Sequence, residues 1–342
     1  CLPGMGGTTT TATKTTTTTT TTKATTTSAG STPAATGTFT NPIKTSNGSD
    51  PFMVYDGGYY YLLTTTWSNI QITRATTIAG LKTATAKVVW TQDSVAARCC
   101  NYWAPEVHKI GGTCYLHYSA GASGNYDYQN IHVLQGGSTP YDTYTYKAQL
   151  APTNAPNDWA IDGTILTVSE TNYFVFSGKD TTAGQAIWIA PLTNAWTAGA
   201  RSLISHPLQS WERNGWYVNE GPQPLYHNGA IYLAYSASHC STASYSLGLL
   251  KFNGGDPTNI NSWTKTGPYL TSANGNYGPG HNGFFTTPGG VTYIVFHATA
   301  NSAGDCGGNR YTMIQPMSWA SDGVTPIFPV PAALSASIPA YH

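Results

Sequence analysis

Five polar side chains occupy comparable places along the chain and could act on one substrate. Each lies in a short segment 5 to 10 residues before a turn rich in glycine or asparagine. The whole sequence contains only 15 Asp and Glu residues. Four carboxyl groups at one recurring position therefore indicate a shared task, because burying that much negative charge is otherwise costly. The five residues are Asp50, Glu106, Asp162, Glu220 and His281.

Clustered carboxyl groups are what the hydrolysis of a glycosidic bond requires. One must be protonated to assist the leaving oxygen, and another must be ionised to activate water or attack the anomeric carbon. A third carboxylate nearby would raise the pKa of the acid by repulsion. A separation of about 6.5–9.5 Å across a funnel leaves room for water and predicts inversion. The alternative is that these residues cap strands or share one ion, and it is strongest for Glu106 taken alone.

A hairpin pattern recurs five times and predicts the elements that carry these side chains. Its turns lie 54 to 61 residues apart, which is the period of a four-stranded propeller blade. A β-sandwich would not repeat one hairpin at constant spacing, and no long helical periodicity competes. We therefore predict an all-β, five-bladed β-propeller over residues 38–342, with the five polar side chains facing its central axis. The predicted turns are at Gly57, Gly111, Asn172, Gly229 and Gly289.

Composition narrows the class of ligand. Charged residues make up 9% of the chain, and 15 Lys and Arg balance 15 Asp and Glu, so no long-range field attracts nucleic acid or an anionic membrane. No apolar run approaches the roughly 20 residues that span a bilayer. The 23 Tyr and 10 Trp suit stacking against sugar rings, although aromatic residues also favour strands for structural reasons.

The N-terminal segment is compositionally separate from the rest of the chain. Residues 8–27 contain 16 Thr, which cannot bury enough apolar surface to fold. We predict a disordered, O-glycosylated linker over residues 7–37. Residues 1–6 resemble the tail of a fungal family 1 cellulose-binding module, which would make cellulose a partner; a cell-wall stalk is the alternative. Because the sequence opens on Cys1 without a signal peptide, we expect a fragment or a mature secreted product.

The cysteines predict disulfides, in keeping with an extracellular protein. Cys1 would pair with a partner upstream, which leaves an odd number in the propeller. Cys240 with Cys306 is the first candidate pair, because both lie in Gly- and Ser-rich loops. Cys114 falls within a strand pattern and is predicted to be a small buried apolar residue. The pairing of the remaining two, Cys99 and Cys100, stays open.

At the recurring carboxyl positions the chain resembles glycoside hydrolase family 43, from Asn41 to the C-terminus. That family is a five-bladed propeller whose inverting catalysis uses three acids in the first, third and fourth blades. The resemblance implies that Asp50, in an Asp-Pro motif, is the general base. It likewise implies that Asp162, in Ile-Asp-Gly, modulates the pKa of the acid, and that Glu220, in Glu-Gly-Pro, is the general acid.

The same resemblance implies further substrate contacts. Trp103 and Glu106 lie in a second-blade motif, Trp-Ala-Pro-Glu-Val-His, that shapes the sugar pocket. Arg310 matches a fifth-blade arginine that contacts substrate, and Phe52 is predicted beside the base. His281 matches a histidine beneath the site that is often associated with an axial Ca²⁺ or Na⁺, so a structural ion there is expected while no cofactor is required.

Within the family, the Tyr-Ser-Ala-Ser segment at 235–238 and the Cys-Gly-Gly-Asn-Arg segment at 306–310 resemble exo-acting α-1,5-L-arabinofuranosidases. The predicted substrate is arabinan or an arabinoxylan-type polysaccharide, and the predicted protein is a secreted monomer. Endo-arabinanase and β-xylosidase are the enzymatic alternatives. A non-catalytic glycan-binding propeller is the alternative from another class, although lectin blades repeat their polar residues and these blades do not. Ser49 breaks the Asn-Asp-Pro motif of the related fructan-cleaving clan, and Asp50 argues against the galactan-cleaving relatives that lack the base.

Overall fold

The computed structural model describes residues 33–342. The predicted cellulose-binding remnant (1–6) and most of the predicted linker (7–32) lie outside these residues. The first strand, β1 (Gly37–Phe39), begins at the last residue of the predicted linker. Already before it, the Thr36 amide donates to Ala340 O at 2.8 Å, so regular pairing starts slightly earlier than the predicted boundary at residue 38.

Two four-stranded antiparallel sheets follow, and in each the strands pair in chain order. Short 3₁₀ helices lie in the connections, at Ala79–Lys82, Ala96–Arg98 and Tyr126–Tyr128. The first sheet consists of β2 (Phe52–Asp56), β3 (Tyr59–Leu63), β4 (Asn69–Ala75) and β5 (Lys87–Thr91), and the second of β6 (Cys100–Ile110), β7 (Thr113–Gly121), β8 (Asn130–Gln135) and β9 (Thr145–Leu150).

Three more sheets complete the chain, with 3₁₀ helices at Ser210–Glu212 and Ile260–Ser262. The third consists of β10 (Ala160–Val168), β11 (Thr171–Lys179) and β12 (Gln185–Asn194), with β13 (Thr197–Ala198) and β14 (Ser202–Ser205) both paired to β12. The fourth consists of β15 (Asn219–His227), β16 (Ala230–Ala237), β17 (Ser246–Phe252) and β18 (Trp263–Tyr269), and the fifth of β19 (Tyr277–Thr286), β20 (Thr292–Thr299) and β21 (Tyr311–Pro316). Two small pairs remain, β22 (Ser318–Trp319) with β23 (Pro326–Ile327), and β24 (Ile338–Ala340) with β1.

The first strands of the five sheets form a closed ring. Each of β2, β6, β10 and β15 contacts the first strand of the next sheet, and β19 contacts β2. The sheets are therefore the blades of a propeller, and the predicted five-bladed architecture is confirmed.

The hydrophobic core is divided into five clusters, one between each pair of neighbouring blades. Alternate residues of a strand point to opposite faces, so a central strand serves two clusters at once. In β20, Tyr293 and Val295 pack towards the first blade, whereas Ile294 and Phe296 pack towards the fourth. Burial on both faces explains why the middle strands read as nearly continuous apolar runs.

The hairpin turns follow the predicted pattern, with one correction. The loops between the first two strands of blades one, two and four have two residues with positive φ, as at Gly57 (φ 56) and Gly58 (φ 91), which matches the twist of the strands. The predicted turn at Asn172 is wrong, because Asn172 lies inside β11. The turn is made by Ser169 (φ 47) and Glu170 (φ 66), two residue types that seldom adopt this conformation.

The ring is closed by the segment between β1 and β2, which runs along β21 as an outer strand of the fifth blade. The Ile43 amide donates to Thr312 O at 2.8 Å, and the Thr312 amide donates to Lys44 O at 2.9 Å. The buried Asn41 side chain accepts from Ile314 N at 2.9 Å and donates to Ile314 O at 3.0 Å. The N-terminal end of the propeller thereby joins the last blade to the first.

The cysteines of the propeller form two disulfides and leave one thiol free, whereas Cys1 lies outside the described residues. Cys240 is bonded to Cys306, and Cys114 is free and buried, so both predictions are confirmed. Cys99 and Cys100, which were left open, form a disulfide between adjacent residues. In the described residues, no helix is long and apolar enough to cross a membrane.

Candidate active site

At the same end of the propeller, each blade has a residue with a left-handed backbone at one corresponding position, either in the inner strand or just before it. In four of the five blades this residue lies at a break in register with the next strand, and in the first blade it lies just before β2. Bulges of this kind re-aim side chains, and left-handed non-glycine residues cluster at functional sites. The five residues are Asp50 (φ 54), Ala104 (φ 45), Asp162 (φ 59), Gly221 (φ 57) and His281 (φ 43).

The predicted equivalence of the polar side chains is therefore only partly correct. Asp50, Asp162 and His281 do share one place in their blades, and Glu220 lies one residue before it. Glu106 lies two residues after it, inside β6. Glu106 lies only 5 residues before its turn, whereas Asp50 and Asp162 each lie 7 residues before theirs, so the spacing itself distinguishes Glu106.

Asp50 is surrounded by positively charged or hydrogen-bonding groups. Its Oδ1 lies 3.2 Å from His281 Nδ1, 3.5 Å from His297 Nδ1 and 3.6 Å from Arg310 Nη1, and the Thr65 hydroxyl donates to its Oδ2 at 2.5 Å. Burial opposes ionisation, but the charges of His281 and Arg310 outweigh it and hold the pKa of Asp50 well below its usual range. Asp50 is therefore a carboxylate near neutral pH.

Asp162 is buried among charged groups that change its pKa. Burial raises its pKa to about 7; His281 opposes this shift, whereas the charges of Glu220 and Asp50 add to it. The Gly221 amide donates to Asp162 Oδ2 at 3.0 Å. Asp162 therefore keeps its proton up to a pH close to neutrality.

Glu220 stands at the start of β15, and both of its oxygens accept hydrogen bonds. The Tyr245 hydroxyl donates to Oε1 at 2.9 Å, and Gln185 Nε2 donates to Oε2 at 3.1 Å. Burial and the Glu220 charge raise the pKa of Tyr245 well above its usual value, so the phenol remains a donor. These two contacts fix the orientation of the Glu220 carboxyl group.

Glu106 and Phe52 lie away from the three acids. The Glu106 carboxyl contacts the Gln223 side chain and lies 2.8 Å from His108 Nε2. Burial raises the pKa of Glu106 to about 8 and lowers that of His108 to about 4, so both are neutral near pH 7. Phe52, His108 and Gln223 line a separate cavity of about 680 Å³, and the structure does not bring Phe52 or Glu106 into the cavity of the acids.

The three acids open into a cavity of about 640 Å³ with an aromatic wall. The predicted residues Trp103, His281 and Arg310 line it. The rings of Trp67 and Trp103 are 6.2 Å apart and nearly perpendicular, and those of Trp103 and Tyr126 are 5.0 Å apart. Flat apolar rings beside a few oriented polar groups suit a sugar.

Arg310 is held by its own loop. Its Nε donates to Gly307 O at 3.0 Å, and its Nη2 donates to Cys306 O at 2.6 Å. The disulfide from Cys306 to Cys240 ties this loop to the one that follows β16. The arginine therefore faces Asp50 from a fixed backbone.

Several residues of the site could not be predicted from the sequence. No sequence motif marks these residues, because each of them contacts the site through neighbours that are far away in the sequence. His297 accepts a hydrogen bond from the Asp50 amide at 3.1 Å, and burial lowers its pKa to about 4. The missed residues are Trp67, Tyr126, Trp159, Gln185, Tyr245 and His297.

Few side chains near His281 could serve as ligands for the predicted axial ion. Within residues 33–342 the only group of three metal-ligating side chains is His239, Cys240 and Cys306, and its two cysteines are bonded to each other. His281 Nδ1 instead faces Asp50, and the charges of Asp50, Asp162 and Glu220 raise the pKa of His281 despite its burial. With its Nδ1 facing Asp50, His281 is in no group of three protein ligands within the described residues, so an ion bound mainly by protein does not fit there.

Comparisons with known proteins agree with this geometry. The family model described as "Glycosyl hydrolases family 43" matches residues 39–325. An "Extracellular exo-alpha-(1->5)-L-arabinofuranosidase" of Streptomyces avermitilis is 34% identical over 86% of the chain, and "Alpha-L-arabinofuranosidase 43" of Humicola insolens is 35% identical over 83%. The chain covers 64% and 62% of these two curated relatives, less than two thirds of their length. The crystal structure of an α-L-arabinofuranosidase from Lactobacillus brevis superposes with a TM-score of 0.80 at 27% identity, covering 87% of this chain and 98% of that one.

Proposed function

The chain belongs to the glycosyl hydrolases of family 43, and we propose that it releases L-arabinofuranose from α-1,5-linked arabinan or arabino-oligosaccharides with inversion. The observation that carries this proposal is the contrast between two acids in one cavity. Asp50 is held ionised by His281 and Arg310, whereas Glu220 is oriented beside the proton-retaining Asp162. The names of the two curated relatives support arabinofuranose as the sugar.

The proposed reaction is a single displacement. Asp50 accepts a proton from a water molecule, whose oxygen attacks the anomeric carbon as the glycosidic bond breaks. Glu220 donates its proton to the departing oxygen. One water is consumed, and the proton gained by Asp50 returns to Glu220 through solvent. Attack from the side opposite to the leaving group inverts the anomeric centre.

Asp162 and Arg310 act on these two acids without reacting themselves. The negative charge that develops on Asp162 as pH rises disfavours a second charge on Glu220, so the pair keeps the proton that the reaction needs. Arg310 stabilises the carboxylate of Asp50 at 3.6 Å. The walls formed by Trp67, Trp103 and Tyr126 exclude water from the sugar ring and orient it.

Product analysis tests the substrate. Linear arabino-oligosaccharides, xylobiose and dyed arabinan are incubated separately with the protein and with a Glu220→Ala control. The proposal predicts free arabinose from the oligosaccharides, no xylose, and no dyed fragments. Release of xylose would favour a β-xylosidase, release of oligomers would favour an endo-arabinanase, and binding without any product would favour a glycan-binding propeller.

The remaining proposals concern the setting of the enzyme. We infer that the protein is secreted, because two of the arabinofuranosidase relatives are named extracellular and a Thr-rich linker is typical of secreted modular enzymes. The monomeric state stays a prediction. Arabinoxylan as a second substrate, cellulose as a partner through an upstream module and an axial Ca²⁺ or Na⁺ stay predictions. Size-exclusion chromatography tests the oligomeric state, sugar release from arabinoxylan tests the second substrate, and a cellulose pull-down tests the cellulose partner. Thermal unfolding with EDTA or added Ca²⁺ tests the ion.

A further inference from the structure

The loop at residues 213–217 presents two neighbouring aromatic side chains to solvent. Trp216 is 55% exposed and Tyr217 is 43% exposed, and their ring centroids are 6.4 Å apart with an angle of 30° between the planes. Exposed large apolar side chains in contact with each other often mark binding surfaces. The location of this pair relative to the acids indicates what it would bind.

The loop borders the cavity on the side of Glu220. The backbone amide of Gln185 donates to Tyr217 O at 2.9 Å, while the side chain of the same Gln185 donates to Glu220 at 3.1 Å. In the middle of the loop, Gly215 packs so closely on His239 that an added Cβ would lie 3.0 Å from the His239 Cβ. Gln185, Glu220 and His239 all line the cavity, so the loop spans its edge between two lining residues.

The exposed rings are not the consequence of a loosely held loop. The His239 amide donates to Asn214 O at 2.9 Å, and the Val218 amide donates to Glu212 O at 3.1 Å. Glu212 is itself fully buried and accepts from Lys265 Nζ at 2.8 Å and from the Tyr235 hydroxyl at 2.7 Å. The loop is therefore fixed at both ends, and it is preorganised to bind with little loss of entropy.

We propose that Trp216 and Tyr217 form a platform for the departing part of the substrate, the arabinofuranosyl residues beyond the bond that is cut. This inference rests on the proposed function. The leaving oxygen must lie beside the proton donor Glu220, so the chain that continues from it passes over the Glu220 side of the cavity mouth. Aromatic faces stack on the apolar faces of successive sugars. The platform favours longer arabinan chains over short substrates.

Substrates of increasing length test the platform. The Trp216→Ala variant is compared with the unmodified protein on a 4-nitrophenyl arabinofuranoside, arabinobiose and arabinohexaose. We expect kcat/KM on arabinohexaose to fall by roughly 3- to 10-fold, mainly through KM, with the aryl substrate changed less than about 2-fold. Trp216→Phe should recover most of the loss.

A matched control comes from the far end of β15, the strand that follows the loop. Tyr226→Ala removes an exposed aromatic ring that lines the separate cavity of Phe52 and His108, and it should leave the kinetics on all three substrates unchanged. Equal losses on the three substrates for Trp216→Ala would overturn the proposal, because they would mean that the loop only positions Gln185 and Glu220. Unchanged kinetics on all three would overturn it as well.

The test also separates this inference from the proposed function. If the unmodified protein cleaves none of the three substrates, the proposed function fails. Calorimetric titration of arabinohexaose then decides the inference alone: weaker binding to Trp216→Ala supports the platform, and equal binding refutes it.

Discussion

Asp50, Asp162 and Glu220 are distinguished by their neighbours more than by their own chemistry. Asp50 has His281 and Arg310 beside its oxygens, whereas Asp162 is buried near two other carboxyl groups. Similar groups are thus driven to different protonation states, which is how one site performs acid and base chemistry at a single pH.

Removing each reacting acid should give a different kinetic pattern. Glu220→Ala should lose most activity on arabino-oligosaccharides, by roughly 10²–10⁴-fold, and much less on an aryl arabinofuranoside whose leaving group needs no proton. Asp50→Ala should fail on both substrates and respond to added azide or formate. Steady-state kinetics with both substrates measure this difference, and equal losses everywhere would mean that the acids only maintain the structure.

Glu106 should affect stability and its pH dependence. Its usual pKa of 4.5 applies to the unfolded chain, and burial raises the value to about 8 in the folded protein. As pH rises, the unfolded chain therefore loses this proton before the folded protein does. The contribution of the protonated Glu106 to the free energy of unfolding is fully present below about pH 4.5 and is lost as pH rises towards 8. Glu106→Gln should flatten the decline of Tm between pH 5 and pH 8. Glu170→Gln, at an exposed turn, is the control, and an unchanged pH profile for Glu106→Gln would contradict the assignment.

At the scale of elements, the inner strands and the loops have different roles in building the site. The bulged ends of β6, β10, β15 and β19 aim side chains into the axis, while loops from several blades build the aromatic wall. The loop that carries Arg310 is the one joined by a disulfide to a neighbouring blade.

Loss of the Cys240–Cys306 disulfide should reduce both stability and activity. The two cysteines are 66 residues apart, so replacing both by serine should cost about 2–4 kcal/mol of unfolding free energy. It should also lower kcat/KM, because the Cys306 carbonyl that accepts a hydrogen bond from Arg310 is no longer fixed by the disulfide. Tm and kcat/KM measure the two effects. The Cys99→Ser, Cys100→Ser double variant is the control, since adjacent cysteines close no loop; the idea fails if the two double variants behave alike.

Sequence patterns were informative where they repeat and uninformative where the chain makes long-range contacts. The hairpin spacing and the Asp-Pro, Ile-Asp-Gly and Glu-Gly-Pro motifs predicted five blades and the three acids that line one cavity. They could not indicate that Tyr245 and Gln185 orient Glu220, because those side chains come from other strands and loops. The sequence did distinguish Glu106, which lies two residues nearer its turn than Asp50 does, but a tolerance of 5 to 10 residues treats the two positions as equivalent.

At the scale of the whole molecule, the propeller depends on its closure. Five separate clusters hold neighbouring blades together, and the fifth blade receives its outer strand from the N-terminal segment. This segment leads directly into Asp50, so closure of the ring and placement of the base are coupled through a few residues of chain.

Asn41 should be critical for that closure. Its buried side chain satisfies both the amide and the carbonyl of Ile314, and Asn41→Ala leaves them without partners, at a cost of about 1–3 kcal/mol. A lowered Tm is expected. Thr36→Ala, which removes an exposed hydroxyl from the β1–β24 end of the same segment, is the control. Similar Tm values for the two variants would show that the ring does not depend on the Asn41 contacts.

The configuration of the first product tests the central claim most directly. Proton NMR follows the anomeric signal of arabinose released from α-1,5-arabinobiose during the first minutes, before mutarotation. If Asp50 activates a water while Glu220 protonates the leaving oxygen, the β-anomer of arabinofuranose appears first. Initial appearance of the α-anomer would contradict the account, because retention requires a covalent intermediate on an enzymatic nucleophile rather than attack by water.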